Sequence, residues 1–266
     1  MPVAGARGCL AGRHGKTRGP VGLFCERRSE ESLLEAHLTK IAYVEAAHRN
    51  PRGGEKQQRL HGHSYKVEIL AKGGLNPDVG WIVDYAALKD LFRPLYDQLD
   101  HACLNDVPGL EDDTTVAALE RWIDARIAPK PAWYAGVRVS IDGDLAFAPV
   151  RLPAKPFENL PERVIFSFEA AQALPQLPAT HPCHCIHGHS YRFEVGTKAL
   201  DRLEGHLRAM YDLLDHTYLN EIPGLECATC ERICQWVWDR LVEAGEAPTV
   251  VVVQETYTAR CIYFGA

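Results

Sequence analysis

His61-Gly62-His63-Ser64-Tyr65 recurs as His187-Gly188-His189-Ser190-Tyr191, and the rest of the chain falls into register around these two pentads. Upstream, Glu45-Ala46-Ala47 returns as Glu169-Ala170-Ala171. Downstream, Leu99-Asp100-His101 returns as Leu214-Asp215-His216, each followed by a Leu-Asn pair. Pro108-Gly109-Leu110-Glu111 then matches Pro223-Gly224-Leu225-Glu226, with Trp122 and Trp236 beyond them. Matches that keep their order along the chain mark an internal duplication, which must be recognised before any element is assigned. The offset falls from 126 at the pentads to 115 at Asp-His, so the second copy lacks 11 residues, corresponding to the stretch around Leu75 to Tyr85.

The duplication sets the expected domains: copy 1 over residues 35–150, a linker over 151–161 and copy 2 over 162–266. Pro149, Pro153, Pro156 and Pro161 predict a stiff, extended connection. Residues 1–34 are rich in Gly and Arg without periodicity and read as a flexible leader or an over-extended start.

At 46% hydrophobic and 24% charged residues, the 266-residue chain can bury ordinary cores. A formal charge of −6 argues against a nucleic-acid surface, which needs a concentrated basic face, and favours a small-molecule partner. No apolar run approaches the roughly 18 residues needed to cross a bilayer, and no secretory pattern opens the chain, so a cytoplasmic location is expected. The nine cysteines then read as reduced thiols, metal ligands or a nucleophile.

Alternation predicts strand pairs over 40–47 with 64–71 and over 164–170 with 190–195. Helical spacing of apolar residues predicts helices over 86–99, 115–127, 200–214 and 230–244. Residues 249–264 read as a closing hairpin; its weaker counterpart, 136–150, turns at Asp142-Gly143-Asp144.

Histidines two apart on a strand share a face, so His61 and His63 can approach one metal ion while Gly62 lets the backbone pass closely. His48, at the end of the preceding strand, can supply a third imidazole. Three neutral imidazoles leave one position of a tetrahedral zinc open, as catalytic sites do. The alternative is a set of histidines with ordinary hydrogen bonds.

In combination, Glu-Ala-Ala-His, His-Gly-His-Ser-Tyr, Leu-Asp-His, Pro-Gly-Leu-Glu and Val-Gln-Glu-Thr resemble the 6-pyruvoyl-tetrahydropterin synthase superfamily over about residues 38–266, and copy 2 resembles its 6-carboxy-tetrahydropterin synthase branch. The resemblance implies an α+β chain of two tandem tunnelling-fold domains, each a four-stranded antiparallel sheet with two helices on one face. It also implies a homo-oligomer closing a β-barrel, Zn2+ as cofactor and a small-molecule pterin substrate, with neither nucleic acid nor membrane as partner.

The family's machinery maps unevenly. His48, His61 and His63 match its zinc ligands in copy 1, where Gln57 stands at the position of the catalytic cysteine. In copy 2 that position is Cys183; His187 and His189 match two ligands, and Gln172 stands where the third belongs. Asp100-His101 and Asp215-His216 match the proton-transfer pair. Glu255 matches the pterin-anchoring glutamate, which copy 1 replaces by Ile141. The implied chemistry converts 7,8-dihydroneopterin triphosphate to 6-carboxy-tetrahydropterin, acetaldehyde and triphosphate, a step toward queuosine and other 7-deazapurines. Cys183, Asp215 and His216 are expected to move protons and Glu255 to hold the ring. A pyruvoyl-type activity and a degenerate, non-catalytic pterin- or metal-binding protein are the alternatives. A four-thiolate site of Cys183, Cys185, Cys227 and Cys230 is the weaker reading, because Cys230 and Cys234 read as helix positions one turn apart.

Overall fold

The duplicated sequence builds two sheets, each with two helices laid on it. The computed structural model describes residues 35–76, 78–143 and 146–265; the leader expected over 1–34 lies outside the described residues. In the first repeat, β1 (Glu35–His48) and β2 (His61–Gly74) pair antiparallel in a register that sets His48 opposite His61, and β3 (Tyr134–Ile141) pairs with the other edge of β2. Helices α1 (Tyr85–Leu99) and α2 (Val116–Arg126) cover this sheet. Leu88, Phe92, Leu95 and Leu99 recur every three to four residues along α1 and bury one face against Val44, Tyr65, Val67 and Ile69. Each fully buried side chain of this kind contributes about 1.5–3 kcal/mol.

Helix starts follow the side-chain caps. Asp84 accepts from the Ala86 N–H at 2.9 Å, and Thr115 accepts from the Ala118 N–H at 3.2 Å, satisfying donors the helix leaves free. Trp122 and Trp236 donate their indole N–H groups to the Pro108 and Pro223 carbonyls at 2.9 and 3.0 Å, tying α2 and its counterpart to the matching Pro-Gly turns.

In the second repeat, β5 (Arg163–Gln172), β6 (His187–Thr197), β8 (Pro248–Thr256) and β9 (Ala259–Tyr263) form the four-stranded antiparallel sheet expected, covered by α3 (Leu203–Leu214) and α4 (Cys230–Glu243). Two short strands add to it. β4 (Val150–Leu152) pairs antiparallel with β5, and β7 (Thr217–Tyr218) pairs parallel with its end.

Copy 1 departs from the four-strand expectation, since its sheet has three strands among the described residues. The return strand expected after Asp142-Gly143 does not go back onto β3. Phe147 instead packs into the second core, with ring centroids 5.7 Å from Phe166 and 5.1 Å from Tyr211, and the chain continues as β4 on the second sheet. The segment expected as an extended linker thus opens as a strand of copy 2. Packing against the second core removes part of the Phe147 ring from water, a gain that accompanies this route.

The repeats meet back to back at their pentads. A side chain on Gly62 would run into the Gly188 backbone, and one on Gly188 into that of Gly62. At this crossing Ser64 N–H donates to Ser190 Oγ at 3.1 Å, and Ser190 N–H to Ser64 Oγ at 3.1 Å. Such reciprocity is what an approximate two-fold axis between like surfaces produces.

Candidate active site

Each pentad opens a strand, residues 61–65 in β2 and residues 187–191 in β6, and the two-fold crossing exchanges partners between repeats. Ser64 Oγ donates to Glu45 of its own repeat at 2.5 Å, while Glu45 also meets His189 Nδ1 of the other repeat at 2.8 Å. Ser190 and Glu169 do the same in mirror fashion, Glu169 meeting His63 Nδ1 at 2.6 Å. In the sequence both glutamates mark the repeat, and their recurrence at matching positions is the signal for a role that spacing alone does not reveal.

At the copy 1 end, His48, His61 and His63 are all buried and bring ring nitrogens within 4.8 Å of one another. Second contacts fix their tautomers. Thr114 donates its hydroxyl hydrogen to the Arg49 carbonyl at 2.9 Å, so it accepts from His48 Nδ1 at 2.8 Å. His61 Nδ1 faces the Arg59 carbonyl at 2.8 Å, an acceptor only, and must carry a hydrogen. The Nε2 atoms of these two rings keep their lone pairs, and His48 Nε2 is buried without any partner. An orphaned nitrogen beside two more imidazoles, each oriented by an oxygen, is the donor set of a metal site with its supporting shell. Burial holds His61 and His63 neutral, each with its pKa lowered to about 3, and pushes His48 well below the usual range. Neutral imidazoles are the form a cation binds. The residues present therefore fit a bound cation.

The Asp-His pair at this end comes from copy 2. The His216 ring lies 4.3 Å from that of His61, centroid to centroid, and its Nδ1 is 2.9 Å from Asp215 Oδ2. Lys56 of copy 1 reaches the same carboxylate oxygen at 3.0 Å. Burial opposes charge on Asp215, but His216 and Lys56 outweigh it and hold the carboxyl at about 2. A cavity of about 230 Å³ opens here, bounded by the triad, Gln57, Ile141 and His216.

The copy 2 end repeats the plan with different residues. Gln172 stands opposite His187 as His48 does opposite His61. His187 Nδ1 faces the Cys185 carbonyl at 2.8 Å, and the His101 ring of copy 1 lies 4.6 Å from the His187 ring. Cys183 Sγ, a ring nitrogen of His101 and one of His187 lie within 4.8 Å of one another. The expected set of Cys183, Asp215 and His216 is thus divided: Cys183 meets His101, whose Nδ1 is 2.9 Å from Asp100 Oδ2, and Asp215-His216 serves the other end. Burial, with the Glu255 carboxylate nearby, raises the Cys183 thiol above its ordinary range. A groove of about 840 Å³ runs beside this end, lined in part by Arg49, His101, Cys103, His184 and Cys185, a size suited to small-molecule recognition.

Glu255 turns inward. Its carboxylate lies 3.2 Å from His189 Nε2, accepts from the Gln172 amide and takes the Cys230 thiol at 3.3 Å. Burial opposes protonation of His189, but the Glu255 and Glu45 carboxylates outweigh it and raise the ring to about 9.

His101 and His216 share a backbone feature no spacing revealed. Both sit in the left-handed region, with φ of 56° and 57°. Their N–H groups donate to the Glu45 and Glu169 carbonyls at 2.7 and 2.6 Å, while Asp100 and Asp215 accept from the N–H groups of those glutamates at 3.0 and 3.2 Å. Uncommon backbone of this kind persists where neighbours over-determine it, and such positions cluster at functional sites.

Among the described residues, no helix is long and apolar enough to cross a membrane. A family model described as 6-pyruvoyl tetrahydropterin synthase matches residues 37–141 and again 163–266. The 6-carboxy-5,6,7,8-tetrahydropterin synthase of Synechocystis sp. is 39% identical over an alignment covering 37% of this chain and 88% of that protein. The dihydroneopterin monophosphate aldolase of Pyrococcus furiosus is 29% identical, covering 35% of this chain and 76% of that protein. Among solved structures, the Caenorhabditis elegans 6-pyruvoyl tetrahydropterin synthase is similar with 20% identity and a TM-score of 0.35, over 40% of this chain and 88% of that one. With the family's pattern matched twice in succession, the chain belongs to the 6-pyruvoyl tetrahydropterin synthase family.

Proposed function

We propose that the chain is a zinc-dependent lyase of the 6-carboxy-tetrahydropterin synthase type, converting 7,8-dihydroneopterin triphosphate and one water to 6-carboxy-tetrahydropterin, acetaldehyde and triphosphate on the way to 7-deazapurines. The observation that carries this reading is the cluster of Cys183, His101 and His187, assembled from both repeats beside the groove. His48, His61 and His63 would hold zinc at the other end of the crossing, where His216 stands beside the triad as His101 stands beside His187. When bound, the ion supplies Lewis acidity that makes hydroxyls and adjacent C–H groups easier to deprotonate. Asp100 holds the His101 ring by Nδ1, leaving the other ring nitrogen to exchange a proton with Cys183 Sγ. The thiol, raised by burial, needs that neighbour to become a base. Arg49 lines the same groove and gives a triphosphate a guanidinium to meet. Asp215-His216, with Lys56, is the corresponding proton-handling pair at the triad.

Oligomerisation belongs to the same proposal. β1 and β3 are end strands of a three-stranded sheet, and pairing between chains would close such edges into a barrel.

Purified protein given dihydroneopterin triphosphate should release triphosphate, and Cys183→Ala and His101→Ala should each abolish the release. Undiminished turnover in Cys183→Ala would refute the assignment. Product mass separates the carboxy activity, which shortens the side chain, from a pyruvoyl activity, which does not. Zinc binding without turnover of any pterin would favour the degenerate, binding-only reading, which Gln57, Ile141 and Gln172 motivate.

A further inference from the structure

Gln172 removes an imidazole from the second repeat, and the structure brings a carboxylate to that place. Glu255, from the end of β8, receives the Gln172 amide hydrogen bond and sets Oε1 3.2 Å from His189 Nε2. Gln172 Nε2 in turn lies 3.4 Å from His187 Nε2. His187, His189 and Glu255 therefore offer three ligand atoms within 4.8 Å of one another.

Both imidazoles are turned to present Nε2. Their Nδ1 atoms are engaged, by the Cys185 carbonyl at 2.8 Å for His187 and by Glu45 at 2.8 Å for His189. His189 is 2% exposed and Gln172 1%, yet His189 Nε2 and Gln172 Oε1 have no hydrogen-bond partner. The 3.2 Å approach of Glu255 to His189 is an ion-pair contact without the alignment of a hydrogen bond, and its spacing also suits two ligands of one ion. Bond lengths of about 2.0–2.1 Å in a tetrahedral site put neighbouring ligand atoms about 3.4 Å apart.

We propose that the second repeat holds a cation of its own, a first-row divalent transition metal, through His187, His189 and Glu255, with Gln172 as the positioning residue for the carboxylate. Here Glu255 is a metal ligand in place of the ring anchor expected from the family resemblance. The two repeats then differ in chemistry: three imidazoles in the first, two imidazoles and a carboxylate in the second. The oxygen donor shifts preference toward harder ions such as manganese or ferrous iron, whereas the first set suits zinc. His187 is shared with the Cys183 and His101 cluster, but that cluster has no orphaned buried atom to explain.

The inference concerns cation binding and stands apart from the reaction proposed above, so either can fail alone. Cobalt(II) titration of the full chain, followed by its visible absorption and by elemental analysis, should show two ions per chain. His48→Ala should retain one ion, Glu255→Gln the other, and the double variant none. Glu255→Gln should weaken the second site by more than about 100-fold, beyond the loss of a merely supporting contact. Gln172→Ala, which removes no proposed ligand, should weaken it by about 10–100-fold. One ion per chain in the parent protein, two retained in Glu255→Gln, or loss of the second ion in Cys183→Ser with Glu255→Gln unaffected, would each overturn the proposal.

Discussion

The Glu169 carboxyl of the second repeat lies 2.6 Å from His63 Nδ1 of the first, so the triad's third imidazole is oriented by a residue 106 positions away. Burial raises this carboxyl to about 8, which keeps a proton between it and the ring. A cation needs His63 Nε2 bare, with the hydrogen on Nδ1 facing an ionised Glu169, so binding at the triad expels that proton. Affinity for zinc should therefore climb about tenfold per pH unit up to about pH 8 and then level. Competition titrations across this range check it, and Glu169→Gln should flatten the slope and cost about 10–100-fold in affinity.

Metal-free stability should peak near pH 6.5. His48, His61, His63 and His187 all have pKa values depressed below the ordinary 6.5, three of them to about 3. Unfolding then takes up protons below pH 6.5, and stability rises with pH toward that point. Above it the sign reverses. His189, raised to about 9, and Glu169, raised from 4.5 to about 8, hold protons in the fold that the unfolded chain gives up. Urea midpoints measured with a chelator present should trace this maximum, and a midpoint that rises steadily from pH 6 to pH 9 would contradict it.

Gly62→Ala should separate the repeats. Its added methyl would meet the Gly188 backbone and lie 2.9 Å from the Ala46 carbonyl oxygen, neither of which can rotate away. A loss of about 1–3 kcal/mol is expected from overpacking of this kind. Equal urea midpoints for variant and parent would show that the strands can part without cost.

Thr114→Val keeps the shape beside His48 and removes the acceptor that fixes its tautomer. Zinc affinity at the first triad should drop about 10–100-fold while the second repeat is unaffected. Isothermal titration of the variant tests this directly.

The duplication, the strand pairs, the four helices and the pairing of His48 with His61 and His63 were legible in the sequence alone. Periodicity, caps and repeated motifs act over a few residues, and local chemistry is what a linear pattern records. Tertiary structure alone decided which Asp-His pair meets which histidines, that Glu45 and Glu169 cross to the opposite repeat, and that Phe147 carries the first repeat's last segment into the second core. It also decided that Glu255 reaches both the Gln172 amide and His189 Nε2, the latter at 3.2 Å. Each of these depends on two sheets meeting where Gly62 and Gly188 let the backbones touch, and residue spacing within a chain carries no record of how two faces turn toward each other.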